Sequence, residues 1–172
     1  MSHSSLTLSA FLIPAIDRVL ANLSQVLAKG EAFAKETGID PAQLVQARLA
    51  PDMFTLAGQV QRASDTAKAA AARLAGIEVP SYPDDEQDFS RLQDRIRRTR
   101  EFIASVDLAK MEGCEGRTIS FKAGPYPLTF TGTSYAQDFV LPNLHFHATT
   151  AYGILRHNGV PVGKLDYLGP IN

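Results

Sequence analysis

The chain has 172 residues, of which 45% are hydrophobic and 20% are charged, and this composition is near the average of soluble globular domains. The length fits a single domain, residues 1–172, with enough buried surface to need no disulfide or metal as a staple. The formal net charge of −1 argues against a large basic surface for nucleic acid or for an anionic membrane.

The compartment is predicted from cysteine usage and from the N-terminal sequence. Cys114 is the one cysteine, so no intramolecular disulfide can form and a reducing compartment is the simplest interpretation. No apolar run approaches the roughly 20 residues of a membrane span. The N-terminal segment MSHSSLTL lacks the basic start of a signal peptide. We therefore expect a cytoplasmic protein without a membrane segment.

The first 48 residues predict one long amphipathic helix and one short helix. The long helix runs from about Leu6 to Glu36, and Pro14 predicts either a kink or a late start. Gly38 suits its C-terminal end. Asp40-Pro41 is typical of an N-cap followed by proline at the first helical position, so a short helix should run to about Arg48. The apolar stripe of the long helix comprises Ile13, Ile16, Val19, Leu20, Leu23, Val26 and Leu27.

Two more long helices are predicted on either side of a proline-rich connection, residues 76–87. The second long helix follows Pro51-Asp52 and ends at Gly76, and its stripe of small residues would let a neighbouring helix approach closely. The third long helix runs from about Asp88 to Val106. It is rich in arginine, with acidic residues interleaved, and this pattern predicts a solvated face more strongly than nucleic-acid binding. Those arginines are Arg91, Arg95, Arg97, Arg98 and Arg100.

Helical spacing also predicts ion pairs on this third helix. Asp94 with Arg98 and Arg97 with Glu101 are each four residues apart, which places the partners on the same side of the helix.

The pattern changes to alternating β-branched and aromatic residues between Arg117 and Gly132. The turn signal Ala123-Gly124-Pro125 divides this stretch, which predicts a β-hairpin. The C-terminal tail, residues 159–172, contains three glycines and two prolines and is expected to be extended and packed on the body.

The fourth long helix is predicted to open at a capping box formed by Ser134 and Gln137. It should run to about Asn158 and stop at Gly159, and Pro142 would bend its first turns. Four long amphipathic helices bury their apolar stripes most simply as a four-helix bundle, so the predicted fold class is all-α.

The end of the fourth helix resembles a known family. The string LRHNGVP, residues 155–161, is similar to the end of the last helix in DinB/YfiT-like proteins. The segments PDMFTLAGQVQRASDTAKAAAARLAGIEVP and LPNLHFHATTAYGILRHNGVP resemble the second and fourth helices of an uncharacterised bacterial branch of that superfamily. The resemblance covers nearly the whole chain. It implies an up-down-down-up four-helix bundle with a short extra helix and a small hairpin before the last helix, often as a homodimer.

The resemblance also implies a place for a metal site. Some members of the superfamily bind a divalent metal through one histidine of the second helix and two of the fourth, and some of these are thiol transferases. Counting back from Arg156, His147 matches the second histidine of the fourth-helix pair. Asn143 stands at the first position of that pair, and Gln59 lies near the expected place in the second helix. Because one ligand of three is present, we expect no zinc or nickel.

The geometry of a helix separates the two neighbouring histidines and groups three other side chains. His145 and His147 are two residues apart, so their rings point to opposite faces and cannot clamp one ion. Asn143 and His147 are one turn apart on one side, and Gln59 is expected opposite them. These three residues form either a structural polar cluster or the lining of a small-molecule pocket, and the sequence does not distinguish the two.

Cys114 is not expected to be a nucleophile. It lies between Glu112 and Glu115, and nearby carboxylates raise the pKa of a thiol.

Two hypotheses of different classes follow. The first is a non-catalytic or small-ligand-binding homodimeric bundle, with no cofactor and with Gln59, Asn143 and His147 at the ligand. Leu141, His145 and Tyr152 would form an outward set that a monomer leaves partly exposed. The second is a divalent-metal-dependent transferase or hydrolase, similar to the thiol transferases, in which an amide or a carboxylate replaces a histidine.

Overall fold

A computed structural model describes residues 6–170 of the chain. The strands are β1 (Thr118–Ala123) and β2 (Tyr126–Thr131), and a π-helical segment, Tyr135–Val140, joins α5 to α6. Two 3-10 turns, Leu108–Met111 and Cys114–Gly116, lie between α4 and β1. The helices are α1 (Leu8–Thr37), α2 (Pro41–Gln46), α3 (Leu56–Ala75), α4 (Phe89–Ser105), α5 (Gly132–Ser134), α6 (Leu141–His157) and α7 (Lys164–Leu168).

Local capping chemistry sets the predicted helix ends. The Asp40 side chain accepts a hydrogen bond from the Ala42 amide and caps α2 ahead of Pro41. Gly38 and Gly76 follow α1 and α3 in the left-handed conformation, with φ of 73° and 66°, which glycine adopts without strain. α1 begins at Leu8, ahead of Pro14, so the alternative of a late start is wrong.

The four long helices enclose one hydrophobic core. α3 packs against both α4 and α6, and α1 packs against the same two helices. Buried alanines run along α3, and their small side chains allow this close packing. Helix α1 is long and apolar enough to pass as a membrane span by length and composition alone. Its stripe is nevertheless part of the core. The buried residues of α1 are Leu12, Ile16, Leu20, Asn22, Leu23, Val26, Leu27, Gly30 and Ala34.

The predicted β-hairpin is confirmed. β1 and β2 pair antiparallel, with Ile119 opposite Phe130 and Phe121 opposite Leu128. Gly124 sits in the turn with a φ of 59°. The aromatic rings on the inner side of the hairpin lie against the π-helical segment, so the hairpin is fixed to the start of the last long helix.

The start of the last helical region differs from the prediction. Thr131, not Ser134, is the N-cap: the Ser134 amide donates to the Thr131 hydroxyl, and the Thr131 amide donates to the Ser134 hydroxyl. The capping box therefore closes three residues earlier than predicted and does not involve Gln137. The π-helical segment that follows ends where Pro142 enters the helix without an N–H to donate.

The tail also differs from the prediction. Val160 and Val162 are buried, as a packed tail requires, but residues Lys164–Leu168 form the short helix α7 instead of an extended strand. Asp166 explains the helix: one carboxylate oxygen accepts from the Gly163 amide at 2.8 Å, and the other pairs with Lys29 of α1 at 2.6 Å.

α7 covers part of the outward set that the sequence predicts, Leu141, His145 and Tyr152. Nδ1 of His145 lies 2.9 Å from the Tyr167 hydroxyl, and the Tyr152 ring packs edge-on against the Tyr167 ring at 6.1 Å. Leu141 and Tyr152 pack against the core of the same chain. Leu141 and Tyr152 are nevertheless half-buried and His145 is exposed, so the set is partly exposed in a monomer, as predicted, with α7 covering part of it.

The arginines of α4 do not all lie on a solvated face. The Arg95 side chain is fully buried, which contradicts the prediction for that residue. The Arg97–Glu101 pair is confirmed at 2.8 Å, whereas Asp94 pairs with Arg97 at 3.0 Å, and Arg98 stands over the Tyr82 ring at 4.4 Å. Arg100 reaches across to Asp17 of α1 at 2.6 Å.

Cys114 is buried at the start of a 3-10 turn. Its burial raises the pKa of the thiol, and the neighbouring Glu115 carboxylate raises it further. The predicted direction is confirmed, and burial is the larger of the two causes.

Candidate polar cleft at His147

The first feature of the site is a hydrogen bond between α3 and α6. Nδ1 of His147 lies 2.7 Å from Oε1 of Gln59. The Gln59 side-chain amide donates to the Phe54 carbonyl at 3.3 Å. Because a carbonyl can only accept, the Gln59 NH₂ must face Phe54, and Oε1 must face the imidazole. Nδ1 of His147 is therefore the donor.

This arrangement fixes the charge and the tautomer of His147. Burial lowers the pKa of the imidazole to about 4, and the positive charge of Arg62 contributes in the same direction. The ring is thus neutral at pH 7, with its proton on Nδ1. Nε2 has no hydrogen-bond partner among the described residues. It is not fully buried either, so it remains in contact with solvent. The lone pair on Nε2 is an available hydrogen-bond acceptor.

Asn143 lies on the same side of α6 but does not bond to His147. Its Nδ2 donates to the Phe139 carbonyl at 2.7 Å. The bond gives the Phe139 carbonyl a donor near Pro142, which has no backbone N–H to donate. The sequence placed Asn143 with His147 correctly by spacing, but the π-helical segment and the proline determine what its amide binds.

His145 points away from His147, as the helical spacing requires. It is exposed on the α7 side, where it meets Tyr167. The two histidines therefore belong to different surfaces of the bundle.

A cleft of about 470 Å³ opens beside His147 and runs along α3. Asn143 and His147 line it, whereas Gln59 stands behind His147 and is 1% exposed. The hairpin and the connection between α3 and α4 form the other walls. The cationic residues along the cleft are Arg62, Lys68, Arg73 and Lys122, and Asp65 is the carboxylate among the described lining residues.

A larger groove of about 930 Å³ lies between α1 and α4. Its charged side chains are paired with one another, Asp17 with Arg100 and Arg97 with Glu101. No histidine is among its described lining residues. The smaller cleft at His147 is therefore the better candidate for recognising a ligand through specific polar groups.

The residues at His147 do not fit the metal site that the resemblance implies. Within residues 6–170, no three side chains of histidine, cysteine, aspartate or glutamate group closely enough to hold an ion. Oε1 of Gln59, which lies 2.7 Å from Nδ1, already accepts the Nδ1 proton. The cation Arg62 also lowers the pKa of His147, so the local field opposes a second positive charge.

Sequence reasoning missed a buried charge network beside the cleft. Nη2 of Arg95 pairs with Asp65 at 2.9 Å and with Asp84 at 3.0 Å, and its Nη1 pairs with Glu86 at 2.9 Å. Lys68, itself buried, bonds to Asp65. A signal existed in the sequence: Arg95 lies three residues after Leu92 and four before Thr99, on the inner stripe.

A second missed group lies at the other end of the cleft. The Arg73 guanidinium stands 3.8 Å above the Phe121 ring, and its Nη1 donates to the Tyr135 hydroxyl at 2.9 Å. Burial raises the pKa of Tyr135, so the phenol stays neutral. Phe121 comes from the hairpin, Arg73 from α3 and Tyr135 from the π-helical segment, and no single-helix periodicity connects them.

Four long helices enclose one core, with a hairpin before the last of them, and this is the fold of a helical bundle. The chain belongs to the family described as Domain of unknown function (DUF1993), which matches residues 8–168. It is also similar to a DinB family member from Shewanella denitrificans, whose crystal structure at 1.83 Å has a TM-score of 0.83 and 40% sequence identity.

That similarity covers 92% of this chain and 90% of the Shewanella chain. No curated protein matches the chain. The resemblance to the DinB/YfiT-like superfamily is confirmed by the family match and by the fold.

Proposed function

We propose that this chain is a non-catalytic helical bundle that binds a small molecule in the cleft at His147. One observation carries the proposal: the neutral imidazole of His147 lines the cleft, is held by Gln59 through Nδ1, and has an Nε2 lone pair without a partner among the described residues. A fixed acceptor in a partly buried cleft recognises a ligand O–H or N–H group without needing a proton or a metal. The cleft volume, about 470 Å³, lies in the range of about 300–1,000 Å³ that is common for small-molecule sites.

The alternative is a divalent-metal-dependent transferase or hydrolase with a degenerate site. Its support is the same Nε2 lone pair, which would be the one imidazole ligand. Zinc-type sites use at least three protein ligands, and carboxamide oxygens are weak ligands for the metals that imidazole selects. We therefore expect no bound zinc or nickel, and ligand binding is the function that the geometry favours.

We also propose that the chain forms a homodimer. Phe54 and Phe146 are each 56% exposed, and their rings lie 6.5 Å and 5.3 Å from the His147 ring. A second copy packed on these rings would remove them from water. Sedimentation should give a dimer for the wild type and a monomer for Phe146→Glu. Phe11→Glu, at another exposed phenylalanine on α1, is the control and should stay dimeric. A monomeric wild type at micromolar concentration would contradict this.

We infer the up-down-down-up order for the four long helices. Two sets of contacts support antiparallel pairs: Arg100 with Asp17 and Gln93 with Ser24 for α1 and α4, and Arg73 with Tyr135 and His147 with Gln59 for α3 and α6. Parallel α1 and α6 are supported by the approach of Leu155 to Gly30 and of Phe33 to Gly159.

We also propose a cytoplasmic location, since a buried free thiol suits a reducing compartment.

A titration with 1-naphthol tests the proposed function, because this probe offers one hydroxyl donor on a flat apolar body. We expect calorimetry to show binding to the wild type and at least tenfold weaker binding to His147→Phe. That variant keeps a ring of similar size but removes the acceptor. His145→Phe is the matched control and should bind like the wild type, since His145 faces α7. Equal binding by all three proteins, or none by the wild type, would contradict the proposal.

A further inference from the structure

We propose that the ligand of this cleft is an organic carboxylate with a flat apolar body, and that its carboxylate binds Arg73. The inference rests on the proposed function, because it names the chemical class of molecule that the same cleft takes. Arg73 and His147 stand at opposite ends of the cleft, so the two ends can be tested separately.

The evidence starts with the counter-charges in and around the cleft. Arg62, Lys68 and Arg95 each have a carboxylate partner, with Asp65 shared among all three. Arg73 is half-buried, and none of the described residues places a carboxylate within 4.0 Å of its guanidinium. A partly desolvated cation without a counter-ion gains more from an anion than one that is already paired.

The geometry of Arg73 suits a planar anion. Its guanidinium lies 3.8 Å over the Phe121 ring, and the bond from Nη1 to the Tyr135 hydroxyl fixes one edge of the group. A stacked guanidinium presents its remaining N–H groups in its own plane, where a carboxylate can accept two of them side by side. Tyr135 is a neutral phenol and supplies no charge to offset the cation.

The surrounding charge favours an anion over a neutral molecule. Of the four cations among the described lining residues, Arg62 and Lys68 are paired with carboxylates, whereas no described carboxylate lies within 4.0 Å of Arg73 or Lys122, so the cleft has an excess of positive charge. The chain as a whole carries a net charge of −1, so this excess is local. A cleft with low-dielectric walls and one sign of charge concentrates ions of the opposite sign.

The walls beside Arg73 favour an apolar body on the anion. Phe139 lines the cleft, half-buried, with its ring edge-on to Phe121 at 5.0 Å and stacked with Tyr135 at 5.8 Å. Arg62 and Arg73 are eleven positions apart on α3, or about 16.5 Å at 1.5 Å per residue. A carboxylate at Arg73 therefore leaves room for a ring system on Phe139 and along the cleft toward His147.

The test compares three probes by calorimetry and by backbone NMR shifts: 1-naphthoate, its uncharged analogue 1-naphthamide, and inorganic phosphate. We expect 1-naphthoate to bind the wild type with shifts at Arg73 and Phe139, and to bind at least tenfold more tightly than either other probe. Arg73→Gln should lose at least tenfold in affinity for 1-naphthoate, while Arg73→Lys, which keeps the charge without the planar fork, should lose less. Arg156→Gln is the matched control, because Arg156 is exposed on α6 away from the cleft.

Each outcome decides for or against the carboxylate. Equal affinity for 1-naphthoate and 1-naphthamide, with shifts in the cleft, would overturn the carboxylate proposal while leaving small-molecule binding intact. If phosphate binds as tightly as 1-naphthoate, the proposal that the ligand has an apolar body is wrong. Unchanged binding in Arg73→Gln, or shifts confined to residues outside the cleft, would overturn the site itself. If Arg73→Gln fails to fold, Arg73→Lys and the naphthamide comparison still decide. Loss of 1-naphthol binding in His147→Phe is a separate readout, because it tests the proposed function at the His147 end of the cleft.

Discussion

Nδ1 of His147 donates a 2.7 Å hydrogen bond to Oε1 of Gln59, and this bond links α6 to α3 inside the bundle. Both side chains are buried, so on folding each one exchanges a hydrogen bond to water for the hydrogen bond to the other. The bond also leaves Nε2 as the only ring nitrogen that a ligand can reach.

The first prediction concerns the stability of this pair. His147→Ala should lower the free energy of unfolding by about 1–3 kcal/mol, because it leaves the Gln59 oxygen buried without a donor. Gln59→Leu should lower the free energy of unfolding by a similar amount, because the buried Nδ1–H of His147 then has no acceptor. Urea denaturation of both single variants and of the double variant checks this. The double variant should cost less than the sum of the two. Strict additivity would show that the bond contributes nothing.

The second prediction concerns pH. The pKa of His147 is about 4 in the folded protein against 6.5 for an ordinary histidine, so between these values the unfolded chain binds a proton that the native state does not. This contribution to stability is fully present above pH 6.5 and is lost progressively as the pH falls from 6.5 through about 4. Between pH 7.5 and pH 5 the loss should be about 2 kcal/mol.

Urea denaturation at both pH values measures this loss, with His147→Gln as the reference variant. Glutamine can still donate to Gln59 but does not titrate, so its stability should change less over the same interval. Parallel pH profiles for the two proteins would show that the His147 pKa is not depressed.

The third prediction concerns the buried guanidinium of Arg95. Arg95→Met should lower the free energy of unfolding by about 3–5 kcal/mol, because Asp65 and the buried Glu86 lose their shared partner. Glu86 belongs to the connection between α3 and α4, so protease cleavage of residues 76–88 should also become faster. Arg97→Met removes an exposed arginine from the same helix and should change neither measurement. Equal effects of the two substitutions would refute the buried network.

The fourth prediction concerns metal content. Protein purified without a metal-affinity tag should contain far less than one zinc or nickel per chain by elemental analysis, since none of residues 6–170 completes a group of three metal-binding side chains with His147. The His147→Ala variant should give the same low value. About one metal per chain in the wild type, lost in His147→Ala, would favour the metal-dependent transferase or hydrolase instead.

The sequence was most informative where chemistry is local. Asp40-Pro41, Gly38 and Gly76 act through their own backbone and side-chain groups, and they mark the observed helix ends. Helical spacing also separated His145 from His147 and put Gln59 across from His147 once α3 and α6 were paired.

The sequence was least informative where distant segments meet. Arg95 and Arg97 look alike in an arginine-rich helix, and only the carboxylates of α3 and of the following connection explain why one is buried. Arg73 acquires its role from a hairpin residue, Phe121, and from the phenol of Tyr135. The π-helical segment depends on how α5 joins α6, and the helix α7 depends on Asp166 reaching both Gly163 and Lys29.

The nitrogen NMR spectrum of the His147 ring tests whether this imidazole is a ligand-binding acceptor or a metal ligand. At pH 7 we predict a neutral ring with the proton on Nδ1 and an unprotonated Nε2. Adding 1-naphthol should shift the Nε2 signal, and adding equimolar zinc should leave it unchanged. An Nε2 signal that moves stoichiometrically with zinc and ignores 1-naphthol would contradict the proposed function and favour a metal centre at His147.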